Sequence, residues 1–334
     1  MDVGYPVKAM RTTVAALALT LGVFSPRAMA LSPDSPPDKI GVMVSILPLA
    51  YFAEGVGKGM VEVSVMVPPG GNPHTYEPTP LQLGRLSQAK LYVKVGSGIE
   101  FELAWMDKLA ALNRAMKICD ASKGIVLIEM EGPCGHGDAD HGHEGEGERP
   151  QMVQAVPPPT PTLPLKGGGE RKDGKDPHIW LSPANAAVIV KNIRDALAEA
   201  DPAHAEAYTA NARALTAELE QLDGELRRTL APARGATFIV FHPGWGYFAA
   251  RYGLTQAPIE IGGKEPTGKE LAAVVTRARK LGAKTVFASP EFSRKAAEVI
   301  AREIGGRVLL IDALAKDYPA NLRRVAAAIA REAR

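Results

Sequence analysis

The stretch AHAEAYTANARALTAELEQLDGELRRTL, residues 203–230, decides how the rest of the chain is organised. Tyr208, Ala212, Leu215, Leu219, Leu222 and Leu226 recur at alternating spacings of four and three, the pattern of one long amphipathic helix. At about 1.5 Å per residue it reaches roughly 40 Å, enough to run from one lobe to another. Strand-like and helix-like segments alternate on both sides of it. Upstream, Ile40–Ile46, Val61–Val67, Leu91–Val95 and Ile125–Ile128 read as strands, and Leu47–Val56, Leu81–Gln88 and Phe101–Ala115 as helices. Downstream, Thr237–Phe241, Thr255–Ile259, Thr285–Ala288 and Val308–Ile311 read as strands, and Asn321–Glu332 as a closing helix. The alternation predicts an α/β fold of two lobes, each a mainly parallel sheet flanked by helices, joined by one long connecting helix.

Lys8 and Arg11, an apolar run from Thr12 to Phe24, and the small-residue pattern Ala28-Met29-Ala30 read as a secretory signal peptide over residues 1–30. No cysteine follows for lipid attachment, so a free periplasmic protein is expected. The expected order is an N-terminal lobe over 31–201, the connecting helix over 202–231 and a C-terminal lobe over 232–334. From about 131 to 175 the periodicity gives way to Gly, Pro, His and acidic residues, including Pro157–Pro164, which predicts a solvated, disordered insertion. Export makes a Cys119–Cys134 disulfide feasible, with a metal-binding Cys134 thiolate as the competing possibility.

The formal net charge is +2, from 39 basic and 37 acidic residues in 334, too balanced to provide the broad basic field of a nucleic-acid binder. No nucleic-acid partner is expected. A monomer is.

His74 follows the strand Val61–Val67; His178 lies in Asp176-Pro177-His178; His242 and Asp312 directly follow Thr237–Phe241 and Val308–Ile311. Ligands of open α/β sheets bind beyond the carboxyl ends of the strands, so strand-end side chains from two lobes would converge on one cleft. Pro73, Pro177 and Pro243 flank the histidines and restrict the backbone that carries them. Three neutral imidazoles and one carboxylate suit Zn2+. Mn2+ favours more oxygen ligands, whereas cobalt, nickel or copper could use the same set.

Val42–Leu49, VPPGGNPHTYEPTP at 67–80, VGSGIEFELAWMDKL at 95–109, DPHIWLSPANA at 176–186 and FHPGWGYFAARYGL at 241–254 together resemble the zinc- and manganese-binding solute receptors of bacterial ABC transporters. The resemblance spans nearly all the chain between the signal peptide and the C-terminus, except the insertion. It implies two lobes joined by one long helix, a divalent metal ion bound in the cleft by His74, His178, His242 and Asp312, and a membrane permease of the ABC type as partner. Within that family the histidine at 242 sides with zinc, because manganese receptors tend to carry a carboxylate there. The resemblance also implies an auxiliary, metal-collecting role for the insertion, through His136, His141 and His143.

A zinc hydrolase is the rival class. It requires an open coordination position and a placed general base, and no nucleophile elbow or His-Glu-x-x-His helix occurs in the sequence. Ser289 and Glu291, after another strand, are expected to support the ligands from behind. Trp180, Trp245 and Tyr247 are expected to pack around them. A surface adhesin is a third class, disfavoured by the lack of a lipid anchor.

Overall fold

Continuous apolar runs form the central strands of two sheets, as buried parallel strands require. The computed structural model describes residues 1–2, 39–130, 174–260, 268–292 and 294–332. Strands β1 (Ile40–Val44), β2 (Val61–Val65), β3 (Leu91–Lys94) and β4 (Lys117–Asp120) make the first sheet in the order β2-β1-β3-β4. Strands β5 (Thr237–Val240), β6 (Thr255–Pro258), β7 (Thr285–Ala288) and β8 (Arg307–Leu310) repeat that order as β6-β5-β7-β8 in the second. All pairings are parallel. The edge strands β4 and β8 leave Ile118 and Leu310 exposed, whereas Leu91, Tyr92 and Val93 of β3 are fully buried.

The helices are α1 (Leu47–Gly57), α2 (Pro80–Leu86), α3 (Glu100–Leu112) and α4 (Pro183–Ala200) around the first sheet. Helix α5 (Ala205–Leu230) connects the lobes, and α6 (Gly246–Tyr252), α7 (Gly268–Lys280), α8 (Arg294–Glu303) and α9 (Tyr318–Glu332) belong to the second lobe. The fold is therefore two parallel α/β lobes with a long helix between them. Among the described residues no helix is long and apolar enough to cross a membrane.

The stripe Tyr208, Ala212, Leu215, Leu219, Leu222 and Leu226 is buried along the whole of α5, with Leu230 added. It packs against α1 and α4 of the first lobe and α6 and α9 of the second. Both ends are tied by polar contacts. Asn211 Nδ2 donates to the Val56 carbonyl at 2.9 Å, and Asp223 accepts from Arg251 at 2.7 and 2.9 Å and from Tyr252 at 3.0 Å.

Two local elements differ from the sequence expectation. Ile125–Ile128 is not a strand; the fourth strand is Lys117–Asp120, which takes the free edge of β3. After β4 the chain turns at Gly124, and Asn192 donates to the carbonyls of Ala121 and Lys123, which ends the strand. The Ile128 amide then donates to Tyr247 Oη in the second lobe. The second difference is α4, which begins with Pro183 at its first turn and buries Ala186, Ile189, Val190, Ile193 and Leu197. Residues 3–30 of the expected signal peptide and residues 131–173, which include Cys134, His136, His141 and His143, lie outside the described residues. Cys119 is buried with Sγ 3.5 Å from the Asn192 carbonyl, and burial pushes its thiol up to about 12.

Truncating Leu222, which is 1% exposed, opens a void in the seam both lobes share. Leu222→Ala is expected to cost about 2–5 kcal/mol, read as a lower midpoint in urea unfolding. An exposed α5 position such as Glu220 should stay within about 0.5 kcal/mol when changed to Ala.

Candidate metal centre

In both sheets the first strand lies between the second and the third, so strand order reverses at the carboxyl ends of β1 and β5. A crevice opens at such a reversal. The loops after these strands and their neighbours line one cleft with Pro73, His74, His178, Trp180, His242, Gly244, Trp245, Ser289, Glu291, Phe292, Ala313 and Leu314.

Three histidines meet there. One ring nitrogen each of His74, His178 and His242 lies within 4.8 Å of the other two. The Nε2 atoms of His178 and His242 are 3.2 Å apart. Two nitrogens each about 2.05 Å from a tetrahedral zinc would be separated by about 3.3 Å, so this pair already has a ligand-like spacing.

Each ring is turned by the same device. His74 Nδ1 faces Glu100 Oε2 at 2.5 Å, His178 Nδ1 faces Asp176 Oδ1 at 2.7 Å, and His242 Nδ1 faces Glu260 Oε2 at 2.7 Å. A carboxylate on Nδ1 fixes the tautomer that donates from Nδ1 and leaves the Nε2 lone pair facing the cleft. These three carboxylates do the work expected of Ser289 and Glu291, which line the cleft but hold none of the Nδ1 atoms. Asp176 lies two residues from His178 in a motif legible in the sequence. Glu260 follows β6 at its carboxyl end and Glu100 opens α3, positions whose only sequence signal was being acidic beside an element boundary.

The backbone around each ligand is locked. Asn72 Oδ1 accepts the His74 amide at 2.9 Å, and the Phe101 amide donates to the Pro73 carbonyl, tying the ligand loop to the start of α3. That end of α3 is held by buried Glu102, which accepts from Ser45 Oγ at 2.5 Å and from the Val95 and Gly96 amides at 2.6 and 2.9 Å. Burial raises the Glu102 carboxyl, with these donors opposing the rise. Asp176 Oδ1 also accepts the His178 amide, Ser97 Oγ donates to the Pro177 carbonyl, and Tyr247 Oη donates to the Asp176 carbonyl. Gln256 straps the turn after β5, accepting the Trp245 amide and donating to the Pro243 carbonyl.

Two glycines are required by close approach. A Cβ on Gly244 would lie 3.2 Å from His178 Nε2 and 3.3 Å from His242 Cδ2, and one on Gly246 would lie 2.4 Å from Asp176 Oδ2. Trp180 and Trp245 are buried packing residues as expected, and Trp180 Nε1 donates to the Ala313 carbonyl at 2.7 Å. Phe292 stacks on His242 with ring centroids 4.6 Å apart.

Asp312 is the expected ligand that the structure does not bring into the histidine group. Its Oδ1 accepts the Leu314 amide at 2.7 Å, the contact that closes the turn after β8. The Glu291 carboxyl is pushed up to about 7 by burial and by Asp312, to which it donates a hydrogen bond.

The histidine cluster suits a divalent cation. Burial holds the His242 imidazole down at about 4, with His178 and His74 pushing the same way and Glu260 opposing them. Its Nε2 lone pair is therefore available at neutral pH. Burial raises the Glu100 carboxyl, but the hydrogen bond and charge of His74 reverse this and leave it below its ordinary value. Asp176 Oδ2 is buried without a hydrogen-bond partner, so the negative charge behind the His178 ring is incompletely compensated. A dication on the Nε2 atoms would supply the missing charge.

Residues 42–332 match the family model described as zinc-uptake complex component A, periplasmic. The chain belongs to this family. It is 30% identical over 285 residues to the high-affinity zinc uptake system protein ZnuA of Bacillus subtilis, covering 85% of this chain and 81% of that protein. It is 26% identical to the zinc-binding protein AdcA of Streptococcus pyogenes over 83% of this chain, and it spans half of AdcA's length. A crystal structure of ZnuA superposes with a TM-score of 0.74 at 40% identity, covering 89% of this chain and 100% of that one. A zinc-bound deletion mutant of ZnuA gives 0.73 at 40% identity, covering 88% and 98%.

The His242 environment sets a direction for pH dependence. The unfolded chain takes up this proton near pH 6.5 and the folded chain only near 4, so metal-free protein loses stability as pH falls through that window. The loss attributable to His242 is expected to be on the order of 3 kcal/mol. Urea unfolding between pH 4 and pH 7 should show a shallower pH slope in His242→Gln than in the unchanged protein.

Proposed function

We propose that the protein is the extracytoplasmic receptor of a zinc-uptake system, binding Zn2+ through the Nε2 atoms of His74, His178 and His242 and presenting it to an ABC-type permease. The observation that carries this reading is the set of three Nε2 lone pairs aimed at one cleft, each fixed by a carboxylate on Nδ1. An all-imidazole set selects borderline metals such as zinc over the oxygen-seeking Mn2+. The zinc named for the Bacillus and Streptococcus relatives agrees with this donor set.

The His178 and His242 rings are 4% and 10% exposed, and His74 is 18% exposed, so zinc would meet His74 on entry and settle against the other two. Each replaced water is exchanged for a ring whose orientation is already set, which reduces the ordering cost of binding. His74 and His178 precede α5 and His242 follows it, so the metal bridges the two lobes. The bridged arrangement is what the permease would read. Glu100, Asp176 and Glu260 are committed to ring nitrogens, which supports a receptor over a hydrolase needing a free general base. The receptor acts as a monomer without nucleic acid, is exported to the periplasm and loses residues 1–30 on the way. Residues 136–143 collect metal weakly.

Purified protein titrated with Zn2+ and Mn2+ against a competing chelator, with elemental analysis of the isolated form, tests this. One zinc per chain, preferred over manganese, is the expected result. His242→Ala is expected to lose more than about 100-fold in zinc affinity, and Glu260→Gln about 10–100-fold through its orienting bond. A manganese preference, or zinc affinity unchanged in His242→Ala, would overturn the assignment.

A further inference from the structure

Three sides of the His242 imidazole are taken. Glu260 holds its Nδ1, Gly244 backs its Cδ2 edge, and the ring of Phe292 covers one face with centroids 4.6 Å apart and planes 21° from parallel. The same phenyl ring lies 6.2 Å from His74 and 5.9 Å from the buried Phe241 between centroids. It therefore spans two of the three histidines and rests on the core of the second lobe. The Phe292 amide donates to the Ser289 carbonyl at 3.2 Å, so the turn after β7 fixes where the ring stands.

Phe292 is part of an apolar wall. Pro73, Trp180, Trp245 and Leu314 line the same cleft. Apart from the histidines, only Ser289 and Glu291 bring a hydroxyl or a carboxyl to the lining among the described residues. The cavity between these walls measures about 20 Å³. A single water molecule fills such a space.

This shortage of room and of hydrogen-bond partners acts differently on different cations. Zn2+ closes its shell at four ligands and can leave its remaining waters behind. Mn2+ prefers six ligands with oxygen donors, and would carry waters into the cleft. Waters pressed against a phenyl ring and two indoles lose hydrogen bonds that they keep in solution. The apolar shell around a metal site controls the access of solvent to the ion as surely as the donor atoms set its affinity.

We propose that Phe292 is a specificity-determining residue of the site: its ring, laid over His242 and beside His74, keeps additional water ligands off the bound cation and so favours a four-coordinate ion over a six-coordinate one. This role rests on the zinc-receptor reading and places part of the selectivity in the wall of the cleft rather than in the donor atoms.

The test uses the full chain, unchanged and as Phe292→Ala and Phe292→Leu. Competition titrations with Zn2+ and Mn2+ are paired with visible spectra of the Co2+-loaded protein, whose bands are strong for four-coordinate and weak for six-coordinate cobalt. Phe292→Ala is expected to narrow the preference for zinc over manganese about tenfold, chiefly by gaining Mn2+ affinity, and to weaken the Co2+ bands. Phe292→Leu, which keeps apolar bulk over the rings, is expected to retain both the preference and the bands. Equal losses for both metals in Phe292→Ala with an unaltered Co2+ spectrum overturn the proposal, because Phe292 would then only pack the ligands. A Phe292→Leu that behaves as Phe292→Ala overturns it as well, since apolar cover would not be the cause. If Phe292→Ala does not fold, judged by thermal unfolding without metal, Phe292→Val, too short to reach both rings, is read in its place with the same expectations. Unchanged protein with no preference for zinc overturns the receptor reading and this role together. Unchanged protein that prefers zinc, with that preference intact in Phe292→Ala, overturns this role alone.

Discussion

The hydrogen bond from an imidazole Nδ1 to a carboxylate oxygen, made three times around one cleft, is the interaction on which the site depends. A histidine ring rotates readily about its side-chain bonds, and either nitrogen can carry the proton. Glu100, Asp176 and Glu260 remove both freedoms at distances of 2.5–2.7 Å. These carboxylates need supports of their own, and the fold supplies them. Glu100 sits on the α3 end clamped by Glu102, Asp176 is enclosed by Tyr247 and by the Gly246 backbone, and Glu260 follows a β6 strand registered residue by residue on β5. The chain of constraint thus runs from sheet register through helix anchoring to ring orientation.

The same economy governs the relation between the lobes. Helix α5 buries one continuous stripe against helices of both lobes, so large hinge motion would expose apolar surface along its length. A second set of contacts acts near the cleft. Tyr318 of the second lobe packs its ring against Phe52 with centroids 4.9 Å apart, donates to the Trp180 carbonyl at 2.7 Å, and lies near the Lys316–Glu54 ion pair. Both sets of contacts oppose large relative motion of the lobes. Of the three histidine rings, that of His74 is the most exposed.

Most of the architecture was legible from local patterns. The α5 stripe is a helical period in plain view, and every residue of it is buried. The strands β1, β3, β5 and β7 are apolar runs that end within a residue or two of where their composition changes. The failures have a common cause in pairing, which is tertiary. Ile125–Ile128 has strand composition but no free sheet edge, because Lys117–Asp120 takes it despite its exposed Ile118. Helix α4 was hidden because the half-buried Ala184, Ala187, Val188, Ala196 and Ala198 flank its buried stripe and blur the period. At the site, the histidines were legible through their flanking prolines and strand-end positions. Glu100 and Glu260 were not, since a partner 26 or 18 residues away carries no spacing rule.

The placement of Asp312 shows how the turn that follows a strand fixes its first side chain. His242 and Asp312 follow strands of the same sheet, β5 and β8. What separates them is the hydrogen-bonding of the turn that follows. After β5, Gln256 satisfies the turn's polar groups and leaves His242 free to point inward. After β8 no such outside strap serves the Leu314 amide, and Asp312 Oδ1 is the group that satisfies it. A buried amide left unpaired costs about 1–3 kcal/mol, so the Asp312 carboxylate is held where it serves the Leu314 amide. Asp312 thus secures its own turn through Oδ1, which fixes where its carboxylate stands at the end of β8.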